Sequence, residues 1–304
     1  MVDLSVSIGS LKLKNPIITA SGTFGYGTEY APYFDVSRLG GIVTKTITLE
    51  SRSGNPLPRI AETPCGMLNS IGLSNVGVEH FLAEKLPALE ELNTAVIVNV
   101  AGSAVEEYGE IVRRVEGHPR VNAIEVNISC PNVKRGGLAF GTDPAVTRDI
   151  VSRVRHATDK PVIVKLTPNV TDITAIAQAA VEGGADALSL INTVLGMGVD
   201  IQTRRPLLGR VVGGLSGPAI RPIALAKVRQ AAQAVSVPLI GMGGIMTWED
   251  AVSFLIVGAT AVQVGTLNFV HPTGAVDLAD GLTSYCQEQG LARIADLTGT
   301  LRES

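Results

Sequence analysis

Eight short runs rich in valine, isoleucine and leucine recur along this chain, and their number and spacing restrict its fold more than any other feature. They read NPIITASG (15–22), GGIVTKTIT (40–48), AVIVNVAG (95–102) and AIEVNISC (123–130), then PVIVKLTP (161–168), ALSLINTV (187–194), PLIGMGGI (238–245) and AVQVGTLN (261–268). None alternates cleanly between apolar and polar residues, which is the pattern of parallel strands buried on both faces. Each is followed by a helix-like stretch; DPAVTRDIVSRVRHATD and TDITAIAQAAVEGGAD show the amphipathic spacing, with Asp or Thr near their starts. Eight strand–helix units in about 250 residues are the arithmetic of an α/β protein of the (β/α)8, or TIM-barrel, type. The first 14 residues, with LSVSIGSLKL, predict a small hairpin turning at Gly9-Ser10 and capping the lower end of the barrel. No linker, low-complexity tract or further repeat interrupts the pattern, so one domain is expected over residues 1–304.

Composition narrows the class of function. The 304 residues are 45% hydrophobic and 17% charged, with a net charge of −3 and no large basic cluster, so neither nucleic acid nor an anionic membrane is an expected partner. Cys65, Cys130 and Cys286 are odd in number and far apart, which gives neither a disulfide framework nor metal-ligand spacing. The N-terminus lacks a signal peptide, and no apolar run approaches the ~18 residues of a membrane span. A cytoplasmic protein without a bound metal is expected.

The polar residues of the runs lie near their C-terminal ends: Ser21, Lys45, Asn99, Asn127 with Cys130, Lys165 and Asn192. That end of a barrel carries its active site. Lysine within an apolar run is a strong signal, because it is almost never buried without a partner. The seventh and eighth runs end in glycine, where barrels hold phosphate, so Gly243, Gly244, Gly265 and Thr266 read as an anion cradle. GGLSGP (213–218) reads as another glycine turn. No GxGxxG follows a strand and opens a helix, which argues against a Rossmann-type dinucleotide site. The cradle, two inward lysines and several amides suit flavin mononucleotide (FMN); a kinase, aldolase or isomerase barrel would use the same phosphate site.

At NISCPNVKRGGLAFG (127–141) the pattern becomes specific. The chain resembles the class 1 dihydroorotate dehydrogenases, the soluble class that uses cysteine as base, across ASGTFGYGTEY, VTKTITLESRSGNPLPRI, GMLNSIGLSN, VNVAG, VKLTPN and GMGGI. GGLAFG is similar to the B-type branch. The serine base and hydrophobic N-terminal extension of the membrane-bound class 2 enzymes have no counterpart here. The resemblance implies one non-covalent FMN per chain, contacting Ser21, Lys45 with Thr46, Asn99, Asn127, Lys165, Ile191, Gly217, Gly243, Gly244, Gly265 and Thr266. It implies that dihydroorotate is held by Lys45, by Asn69, Ser70, Ile71, Gly72 and Leu73, by Asn127, and by Asn192 with Thr193. Cys130 is then the base that takes the C5 proton while a hydride leaves C6, and Cys65 and Cys286 are structural. The B-type branch further implies a partner subunit carrying FAD and a 2Fe–2S cluster, which passes electrons to NAD in a heterotetramer of two catalytic and two electron-transfer chains. A dihydropyrimidine dehydrogenase-like flavoenzyme and a fumarate-linked A-type enzyme are the alternatives.

Overall fold

In the computed structural model of the protein, which describes residues 2–129 and 140–303, the eight runs form a closed parallel barrel. Its strands, numbered here by their order in the chain, are Ile17–Thr19, Gly41–Val43, Ala95–Val100, Ala123–Asn127, Val162–Lys165, Ala187–Leu190, Leu239–Met242 and Ala261–Val264. Each pairs with its neighbours in sequence, and the eighth closes on the first through Val262↔Ile17 and Val264↔Thr19. Nearly every strand residue is buried, as runs without alternation require. Each strand is shorter than its run, because the last residues of the run leave the sheet and turn toward the mouth.

The hairpin is present, with Val6–Ile8 antiparallel to Leu11–Leu13. Gly9 packs against Asp186, which leads into the sixth strand, so the hairpin sits at the lower end. The helices start where short polar side chains cap them. Asp143 accepts from the N–H groups of Ala145 and Val146 at Pro144–Arg155, and Asp172 accepts from Thr174 at Ile173–Glu182. Thr247 and Asp250 cap each other's backbone at Trp248–Ile256.

Three expectations need correction. The first strand is followed by a single 3-10 turn, Val36–Arg38, in place of a full helix. The intervening loop folds on its own aromatic side chains instead, with Phe24 and Tyr30 stacked at 4.2 Å. After the second strand the helical segment is only Val78–His80, running into a π-helical turn at Phe81–Lys85. The third concerns GGLSGP. Residues Gly213–Ser216 are a strand, and only Gly217 (φ 95°) makes the turn.

That strand belongs to an antiparallel sheet, which the periodicity did not announce. Ile60–Thr63, Gly66–Asn69, Gly213–Ser216 and Val194–Gly196 pair in that order, with Leu68 opposite both Ala61 and Leu215. The loops after the second and sixth barrel strands supply it, and it roofs the barrel mouth. Gly213 and Gly214 are there for close approach: a Cβ on either would run into the Asn69 carbonyl or the Thr193 side chain.

Candidate active site

Between the mouth and the roof lies a cavity of about 400 Å³. The barrel strands deliver Ser21, Lys45, Thr46, Asn127, Lys165, Ile191, Asn192 and Thr193 to its wall as their runs leave the sheet. The seventh and eighth loops bring Gly243, Gly244, Gly265 and Thr266, and the roof and its loops bring Gly217 and Asn69 through Leu73. Of the described candidate residues only Asn99 stays out of the lining. It lies on the body of the third strand, fully buried, with Nδ2 donating to Glu125 at 2.6 Å. Cys130 lies outside the described residues.

At the anion end, Gly244 (φ 73°) packs against the first residue of the helix Arg221–Ala234, so the cradle faces the N-terminus of a 14-residue helix. The positive end of the helix dipole favours an anion there. A Cβ at Gly244 would stand 2.7 Å from the Gly217 carbonyl, too close for any side chain. Thr266 Oγ1 donates to Ser216 Oγ at 2.9 Å, joining the eighth loop to the roof.

The opposite end is lined with amides. Asn127 accepts from the Ser129 N–H at 3.1 Å, and Asn192 Nδ2 reaches Asn127 Oδ1 at 3.4 Å and Ser129 Oγ at 3.0 Å. Asn69 Nδ2 donates to the Gly214 carbonyl at 3.2 Å, and the 70–73 loop is held by Asn55, whose N–H donates to the Ile71 carbonyl. Burial pushes the Lys45 ammonium below the usual lysine range, the Arg59 cation pushes it further, and Glu29 partly offsets both.

Beneath these groups the barrel interior holds a carboxylate that the sequence reading passed over. Glu125 is fully buried and accepts from Asn99, from Ser189 Oγ at 2.9 Å and from Gln263 Nε2 at 2.5 Å, with Lys165 Nζ 4.0 Å away. The sequence carries the signal: a charged residue within AIEVNISC is as unexpected as Lys45 and Lys165 in their runs. Cys286 is buried, as a structural cysteine should be; Cys65 is exposed, in the turn between two roof strands. Among the described residues, no His, Cys, Asp and Glu cluster could hold a metal ion, and no helix is long and apolar enough to cross a membrane.

Residues 3–285 match the sequence model of a family described as dihydroorotate dehydrogenase. The chain belongs to the dihydroorotate dehydrogenase family. Its relatives within that family include a protein of Geotalea uraniireducens (strain Rf4), 56% identical over 299 residues and covering 98% of each chain. One of Desulforudis audaxviator (strain MP104C) is 56% identical over 298 residues, 98% of this chain and 97% of that one. One of Bacteroides thetaiotaomicron is 51% identical over 301 residues, 99% of each. All three are named dihydroorotate dehydrogenase B (NAD(+)), catalytic subunit. The match to dihydroorotate dehydrogenase thus spans the barrel, the roof and the segment containing Cys130.

Proposed function

We propose that this chain oxidises dihydroorotate to orotate in pyrimidine synthesis, as the catalytic subunit of an NAD-linked dihydroorotate dehydrogenase, with residues 1–304 forming one catalytic domain. The observation that carries the reading is the cavity in which an anion cradle, the half-buried Lys45, the buried Lys165 and a set of amides meet. Family membership supports the substrate, and the relatives' names support NAD as final acceptor.

The residues present fit FMN. Gly217, Gly243, Gly244, Gly265 and Thr266 suit its phosphate; Ser21, Lys45, Thr46, Asn127, Lys165 and Ile191 suit the ribityl chain and ring, while Asn99 lies behind the wall and is not a direct contact. The buried Gln263 Oε1, on a residue that lines the cavity, has no partner among the described residues, leaving an acceptor for a donor. FMN, when bound, supplies the acceptor for the hydride from C6.

The chain's own residues do the rest. Lys45 and the amides of Asn69, Asn127 and Asn192 hold the carboxylate and the alternating donors and acceptors of the pyrimidine, with Ser70 through Leu73 and Thr193 closing around it. Lys165 keeps a cation at the wall, which favours negative charge on a ring in the cavity, and more strongly where water is excluded. Cys130, as thiolate, takes the acidic proton from C5, α to a carbonyl. Three cysteines are too few for a four-thiolate cluster beside a catalytic one, so electrons leave through a partner subunit with FAD and a 2Fe–2S cluster, in a cytoplasmic heterotetramer of two of each chain.

The test is the visible spectrum of the pure protein, its denaturation supernatant and anaerobic addition of dihydroorotate. Released FMN and bleaching by dihydroorotate are expected, with little NAD reduction until the partner is added. FAD or no flavin in the supernatant overturns the cofactor; turnover of dihydrouracil in place of dihydroorotate overturns the substrate; efficient use of fumarate or of NAD by this chain alone overturns the electron route.

A further inference from the structure

Barrel interiors of this kind are filled in layers by side chains from alternate strands, and branched aliphatics dominate them. Here the fourth, sixth and eighth strands present Glu125, Ser189 and Gln263 to one another instead. Asn99 from the third strand and Lys165 from the fifth complete the surroundings of Glu125. Every one of these partners offers a hydrogen or a positive charge to the carboxylate. Three donors and a lysine thus surround both oxygens of the carboxylate.

A buried ion pair is weak ground for stability, since well-packed apolar residues often do as well. The position of this one gives it another use. Lys165 lines the cavity, 5% exposed, and touches only two described polar groups: Ser21 Oγ at 3.4 Å and the Glu125 carboxylate at 4.0 Å. Gln263 also lines the cavity, and its Nε2 and the Asn99 Nδ2 are both committed to Glu125, which leaves their oxygens unpartnered among the described residues.

We propose that Glu125 is a positioning residue, whose charge holds the Lys165 ammonium at the cavity wall, orients the Asn99 and Gln263 amides with their oxygens free, and sets the electron affinity of the bound flavin. This rests on the reading of the cavity as an FMN site. Glu125 partly cancels the Lys165 cation, so it holds the flavin's reduction potential down. The residue touches neither substrate nor reacting atoms in this scheme.

The experiment is a spectroelectrochemical titration of FMN-loaded wild type, Glu125→Gln and Glu125→Asp. The glutamine variant keeps the shape and loses the charge, so its oxidised–reduced equilibrium should shift toward reduced flavin by tenfold or more, about 30 mV for a two-electron couple. The aspartate variant keeps the charge and should stay within threefold of wild type. A Gln variant with full flavin and an unchanged or lower potential overturns the proposal while leaving the FMN reading intact. A wild-type protein that carries no FMN overturns both. Should Glu125→Gln fail to hold flavin, thermal unfolding of the flavin-free single and double variants with Lys165→Met decides. Non-additive losses, with the second substitution restoring part of the first, support the pairing, and strictly additive ones overturn it.

Discussion

Asn192 donates through Nδ2 to Ser129 Oγ at 3.0 Å, tying the loop after the sixth barrel strand to the residue that precedes Cys130. The same side chain accepts from the Thr193 N–H at 2.7 Å, so its plane is fixed from both sides. Asn192→Ala removes both bonds and the longer one to Asn127 Oδ1. At about 0.5–1.5 kcal/mol per bond, orotate should bind about tenfold more weakly, with flavin reduction slowed and FMN occupancy unchanged. Titration of flavin absorbance with orotate measures it; wild-type affinity would remove Asn192 from the substrate end.

Lys45 carries a pH signature. Burial, with Arg59 beside it, depresses its pKa in the free protein, and a bound carboxylate would raise it again. Between the depressed value and the ordinary lysine value of about 10.4, the free protein has begun to lose the proton that the complex retains. Binding of orotate in that window should therefore take up a proton. Calorimetry at one alkaline pH in two buffers of different ionisation enthalpy reads the uptake directly. Lys45→Ala should abolish it, and zero uptake in wild type would place the carboxylate elsewhere.

Gly244→Ala tests the anion cradle. The residue has φ 73°, and the added methyl would meet the Gly217 carbonyl and the start of the helix Arg221–Ala234. The left-handed conformation alone costs about 1–2 kcal/mol, and relief by backbone movement opens the cradle. The protein should purify folded but largely without FMN, measured by the ratio of flavin to protein absorbance. Full occupancy would mean that the phosphate lies elsewhere.

The barrel was legible because parallel strands buried on both faces must be written in Val, Ile and Leu, and because polar residues at the ends of such runs have few structural uses. Lys45 and Lys165 were found that way. The roof was not legible. GMLN and GGLS are short, glycine-bearing and unalternating, and their pairing with each other reaches far across the chain. Gly214 looked like turn chemistry, yet its missing side chain makes room for Thr193. The role of Glu125 is not legible in its own run, because its partners are assembled inside the barrel from four other strands.

Cys130 gives the sharpest kinetic prediction. Serine is nearly isosteric with cysteine but far less acidic, so Cys130→Ser should keep FMN and substrate binding while flavin reduction slows about 10²–10⁴-fold, the usual contribution of a general base. The wild-type rate should rise with pH through one ionisation, and the serine variant should lose or displace that limb. Anaerobic stopped-flow bleaching at saturating dihydroorotate, across pH, is the measurement. A serine variant that reduces its flavin at the wild-type rate near neutral pH would make Cys130 a packing residue.

The roof has a consequence for how the protein is made. Asn69 and Gly214, which its central pairing joins, are 145 residues apart along the chain, and four barrel strands are synthesised between them. Contacts of such separation form only after closure of the intervening loop. A chain leaving the ribosome therefore exposes an uncovered barrel mouth until residue 216 has emerged, and the Gly265–Thr266 side of the anion cradle appears later still. On the FMN reading, cofactor capture waits for the eighth barrel strand, after the roof has closed.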